Sequence, residues 1–174
     1  MSRMVRENET SGLRERLFFA RTLLKRLSDE GGSAGERLAL RGAVVFHLYS
    51  VLVGLAREAA RAYQVNGYQD LISLAALEAA FRDAAVDSPE LRLLAQARAD
   101  RTDLVFWLDQ ELRAAVGAAG LARRAAPPQE RDGLALRAED PYAPLASGDL
   151  ERLARAADRV EALVGQCGAH MEEW

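Results

Sequence analysis

The stretch 36-ERLALRGAVVFHLYSVLVGLAREAARAY-63 decides the fold. It contains no proline and is long enough for about eight turns of helix. Val45, Leu48, Leu52, Leu55, Ala59 and Ala62 recur in alternating steps of three and four, which places them along one side of a helix. Phe46, Tyr49, Val53, Ala56 and Ala60 repeat that spacing along a second side. A helix with two apolar sides needs neighbours on more than one flank, so this segment is expected at the centre of a helical bundle. Between the two sides runs a narrow polar strip of His47, Ser50, Gly54, Arg57, Glu58 and Arg61. Asn66-Gly67 supplies the turn chemistry that ends the segment.

Outward from this stretch the same period recurs. Leu13, Leu17, Ala20, Leu24 and Leu27 form one stripe on a first helix expected over Ser11 to Ser28, with Phe18 widening it. Gly31, Gly32 and Gly35 break the chain before the second helix. A third helix is expected from Asp70 to about Ala85, burying Leu71, Leu74, Leu77 and Phe81. Ser88-Pro89-Glu90 opens the next, with an N-cap serine, proline at the first helical position and an acid in the first turn. Leu91 and Leu94 begin its apolar face, and Leu104, Trp107, Leu108, Leu112 and Val116 resume it, as one helix or two. Residues 117–148, with Pro127, Pro128, Gly133, Pro141 and Pro144, read as a loop-rich, mobile segment. A final helix starts near Asp149 and turns Leu150, Leu153, Ala157, Val160 and Leu163 or Val164 inward. The fold class is therefore all-α: an antiparallel bundle of five to six helices around a central apolar second helix, in one domain over 1–174, with residues 1–10 a disordered N-terminus.

Composition narrows the function classes. The chain has 174 residues, 49% of them hydrophobic and only 6% aromatic, so its core rests on Leu, Ala and Val, which suits close-packed helices. A formal net charge of −3 argues against nucleic acid and anionic membranes as partners, because both need excess positive charge. The apolar run from Ala43 to Ala56 would cover about 21 Å of helix, short of a roughly 30 Å hydrocarbon core. With no signal-like N-terminus and a single cysteine, Cys167, a cytoplasmic protein without disulfides is expected.

Phe46-His47-Leu48-Tyr49, followed by Leu52, Gly54-Leu55 and Arg57-Glu58, resembles the second helix of an uncharacterised family of small bacterial all-helical proteins, catalogued as a domain of unknown function. Phe19-Ala20-Arg21, Ser88-Pro89-Glu90, Trp107-Leu108 and Glu173-Trp174 stand in the order that family would place them. The first dozen residues and the segment from Gly117 to Gly148 depart from its pattern. The resemblance implies an all-helical cytosolic protein and brings no activity, cofactor or catalytic residue.

Few residues offer reactive chemistry. His47, in an otherwise apolar helix, is the foremost candidate, with Glu58 and Arg57 on the same strip. One reading is a small pocket or buried network, with Glu58 paired to an arginine and His47 hydrogen-bonded across to another helix; the other is structural, with the glycine and serine permitting close helix packing and the charges reaching solvent near the helix end. As metal ligands His47 and Glu58 lie about 16 Å apart along the axis, too far to share an ion, and Cys167 with His170 makes only two ligands. Arg41 and His47 fit the loose Arg-x(4–6)-His signature of the helical ribonucleases called HEPN. A separation of six, however, sets the two side chains about 120° apart around a helix. Cys167 in a fraying last turn has no base in view, and Arg123-Arg124 reads as a solvated loop. No cofactor and no metal are expected. The sequence reads as a non-enzymatic protein acting through protein–protein contacts, with a second copy of itself or with another protein. The alternative is a HEPN-like ribonuclease or small-molecule-binding bundle using the His47/Glu58 face.

Overall fold

The computed structural model of the protein describes residues 2–29, 31–117, 145 and 148–172, with side chains from Gly12 to Gly168 among them. Six α-helices account for most of these: α1 (Ser2–Ser28), α2 (Ala34–Ala62), α3 (Leu74–Asp83), α4 (Pro89–Ala99), α5 (Leu104–Val116) and α6 (Asp149–Glu172). A single 3₁₀ turn, Tyr68–Asp70, lies between α2 and α3, and no strand occurs among the described residues. The protein is an all-α bundle.

Each boundary has a local cause. Ser33 accepts from the Glu36 amide while the Glu36 carboxylate accepts from the Ser33 amide, a reciprocal cap that starts α2. Ser73, Ser88 and Asp103 cap α3, α4 and α5 one way only, their side chains accepting from the Ala76, Leu91 and Val105 amides, with Pro89 in the first turn of α4. The question of one helix or two over 89–117 resolves into two. Asp100 takes an extended ψ of 111°, and its Oδ1 accepts from the Thr102 amide and hydroxyl at 2.8 and 2.7 Å, so the chain turns before Asp103 restarts it.

Three boundaries differ from expectation. α1 begins at Ser2 rather than near Ser11, so the helix continues through residues expected to be disordered. α3 begins only at Leu74, because the Ser73 hydroxyl caps it there, and Asp70 ends the 3₁₀ turn instead. α6 continues past Cys167 to Glu172, so that cysteine sits inside a helix and not in a fraying turn. The loop-rich reading of 117–148 falls almost wholly outside the described residues.

α2 is the hub, packing against each of the other five helices. Leu48, Leu52, Leu55, Val44, Val51 and Ala56 are sealed from solvent, joined by Leu27, Leu77, Leu94, Leu108, Leu153 and Leu163 from the surrounding helices. α1 runs antiparallel to α2: Gly54 meets Leu13, the Arg16 Nη1 donates to the Ser50 carbonyl at 3.4 Å, and Phe19 touches His47. A Cβ on Gly54 would come within 2.4 Å of Leu13 Cδ2, so glycine is what allows this approach. α2 is also long and apolar enough to cross a membrane, which the shorter run considered from sequence would not be. Half of its most apolar window is buried inside the bundle, as expected of a core helix.

Candidate functional site

Two polar clusters and one aromatic surface surround α2, and they divide the candidate residues between them. Arg41 is buried at 2% exposure. Its Nε donates to Asp149 Oδ2 at 2.5 Å and its Nη1 meets Glu111 Oε2 at 2.8 Å. The guanidinium also lies over the Trp107 ring, 5.8 Å from its centroid, with Arg152 at 5.6 Å from the same centroid. Asp149 is in the first turn of α6, where a carboxylate complements the helix dipole. This cluster therefore fastens α2, α5 and the start of α6 together.

On the next face Tyr49 donates to Asp109 Oδ1 at 2.9 Å and accepts the Leu74 amide at 3.1 Å. Burial, with Asp109 adding to it, pushes the Tyr49 hydroxyl up to about 12, so it is a protonated donor across the working pH range. Arg98 holds Glu78 through two hydrogen bonds, at 2.6 and 2.5 Å, joining α3 to α4. Ser88 caps α4 and also donates to the buried Glu90 at 2.6 Å. Cys167 is fully buried, and burial, then the nearby Glu90 and Glu58 carboxylates, push its thiol up to about 12, which removes it as a nucleophile at neutral pH.

The strip residues do not converge. Arg57 donates from Nε to the Leu71 carbonyl at 2.9 Å and from Nη2 to the Gln69 carbonyl at 2.8 Å, pinning the 3₁₀ turn onto α2. Glu58 is half-buried on the α6 side, near Cys167. Arg41 faces α5 and α6, whereas His47 faces α1, so the arginine and histidine of the ribonuclease-type pair point to different neighbours. The histidine also departs from the cross-helix hydrogen bond expected of it. Its Nδ1 is buried without a hydrogen-bond partner, and its ring is held by stacking instead.

That stacking builds the most distinctive surface of the molecule. Phe18 and Phe19 have centroids 6.1 Å apart, Phe19 and His47 5.6 Å, and His47 and Phe46 5.6 Å, the last two edge to face. The result is a continuous row of four rings crossing from α1 to α2. Its phenylalanines are open to solvent: Phe18 at 65%, Phe19 at 41% and Phe46 at 58%. Phe18 and Phe46 were expected to face the core, and they do not. The sequence did carry a signal. Neighbouring residues on a helix point about 100° apart, so Phe18-Phe19 and Phe46-His47 cannot both lie on the narrow side that a two-helix contact covers.

Among the described residues, no group of three or more His, Cys, Asp or Glu is placed to hold a metal ion. His170 lies within α6, and its side chain falls outside the described residues, as does Arg123-Arg124.

His47 is held below its ordinary 6.5, by burial first and then by the Arg16 charge. The unfolded chain takes up a proton near 6.5, while the folded chain resists it. Folding stability is thus expected to fall as pH drops below about 6.5, levelling once the folded histidine is itself protonated. Replacing His47 with phenylalanine removes both the buried orphan nitrogen and this titration. The variant is expected to equal or exceed the native chain by up to about 1 kcal/mol at pH 7, and to widen that lead at pH 5. Urea melts at the two pH values measure this; a lead that is the same at both would refute the account.

The fold and this surface define an all-helical bundle in which Arg41, Tyr49, Arg57 and Arg98 tie neighbouring elements together and whose α1–α2 face carries exposed aromatic rings. No family model, no curated protein and no solved structure matches the chain.

Proposed function

We propose that this protein acts without catalysis, through protein–protein contacts made by the outer face of α1 and α2. The observation that carries the reading is the aromatic row of Phe18, Phe19, His47 and Phe46, three of whose rings lie open to water. A contiguous apolar patch of this kind on a water-exposed helix pair marks an interaction site, since aromatic rings are the residues that dominate contact energetics. The buried clusters support a contact role, because Arg41, Tyr49 and Arg57 already have structural partners and stand apart from one another. On this reading the chain works in the cytoplasm and does not engage nucleic acid or an anionic membrane, for which its net charge of −3 offers no excess of positive charge. It also belongs with the small bacterial helical proteins that its second helix resembles.

A photoreactive phenylalanine analogue tests the reading when placed at Phe18 and, as a control, at Ile72, which is more exposed still. Irradiation in cells is expected to give protein adducts from position 18 in clear excess over position 72. Equal or absent adducts at the two positions would remove the contact reading.

A further inference from the structure

Resting on the contact reading above, we infer that the protein covering the aromatic row is a second copy of this chain, docked antiparallel about a two-fold axis that passes beside Phe46.

The register of α1 against α2 carries the argument. Leu13 lies against Gly54, Arg16 against Ser50 and Phe19 against His47, so facing residues have numbers summing to 66 or 67. Phe46 is therefore level with residues 20 to 21 of α1. On α1, Glu15, Phe19, Thr22 and Arg26 follow steps of four, three and four, and share an arc of about 60°. All four are exposed. Phe19 touches His47, so this strip is the edge of α1 that borders the aromatic row. Of these four, the charged ones are Glu15 at one end and Arg26 at the other. The midpoint between Glu15 and Arg26 lies between residues 20 and 21, the level of Phe46. A two-fold axis at that level brings Glu15 of each copy opposite Arg26 of the other, with Phe46 and its symmetry mate at the centre. The face is thus complementary to itself, in both charge and apolar content, as a two-fold interface must be. Arg16, at the Glu15 end, is turned toward the Ser50 carbonyl on the α2 side of the strip. Arg26 also lies within electrostatic range of Glu36. Opposed charges at a rim set register and orientation more than affinity, and the rings supply the buried area.

Sedimentation equilibrium over a wide concentration range, on the full chain, tests the inference. The native chain is expected to show a monomer–dimer equilibrium. Glu15→Arg alone and Arg26→Glu alone each place like charges together at two points of the interface, and each is expected to weaken the dimer by about tenfold. Mixing the two variants restores both pairs as opposites, so the mixture should form a heterodimer of about native strength. Both positions are exposed, and unchanged thermal melts will show that the variants fold. A Phe46→Cys variant should also form a covalent dimer on mild oxidation, with Cys167 buried and silent. A chain that stays monomeric at all concentrations overturns the inference. If position 18 nevertheless crosslinks to a different protein, the contact reading survives it. A dimer indifferent to both charge reversals, or one that the mixture does not rescue, overturns this geometry.

Discussion

Arg41→Met is expected to lower the free energy of unfolding by about 3 kcal/mol or more. The guanidinium holds the Asp149 carboxylate through two hydrogen bonds and Glu111 through a third contact, at a site where arginine and aspartate are both buried. Methionine matches much of the stem and leaves the two carboxylates in low-dielectric surroundings without their shared cation. The loss is the cost of taking a cation away from buried carboxylates, not a measure of what the ion pair adds to stability. Neutralising the acids in the same chain, as Arg41→Met with Glu111→Gln and Asp149→Asn, should therefore recover at least half of it. Urea denaturation of the single and triple variants measures both. A single variant within 1 kcal/mol of the native chain, or a triple variant worse than the single, would show that the cluster does not work in this way.

Leu52→Ala is expected to cost about 3 kcal/mol, within the 2–5 kcal/mol usual for emptying a leucine site in a close-packed core. Leu52 is fully buried on the hub helix, where surrounding helices on several sides restrict collapse into the space. Six residues earlier on the same helix, Phe46→Ser is expected to change stability by no more than about 0.5 kcal/mol, because its ring covers little that is not already wet. The contrast decides whether the aromatic row serves the fold or something outside it. Melts must be run at a concentration low enough to keep copies apart, since association would raise apparent stability. If Phe46→Ser proved as costly as Leu52→Ala under those conditions, the row would be a part of the core and not a contact surface.

Much of the fold was legible in the residues. Apolar steps of three and four located α2, α6 and most of α1, and the serines at 73 and 88 act as N-caps, that at 88 where the sequence placed one. Asp100 to Asp103 needed the structure, because a short polar stretch inside a periodic run reads equally well as a solvated helical turn. The extension of α1 to Ser2 was also hidden, since polar residues there carry no apolar period. The functional face was less legible. Periodicity assigned Phe18 and Phe46 to the interior because it reports which residues share a side, not whether a neighbour covers that side. His47 was singled out for its chemistry, yet it is two phenylalanines that hold it, one from each helix.

The linear chain by itself determined the period of the helices, the Ser88 cap and the centrality of α2, because propensity, capping and hydrophobic spacing act over a few residues. Tertiary packing alone decided which side of α2 went uncovered, that Arg41 would be neutralised by an aspartate 108 positions away, and that His47 would stack rather than hydrogen-bond. Those outcomes depend on which helices come to lie side by side, and that choice is made by the whole bundle closing its apolar surface at once.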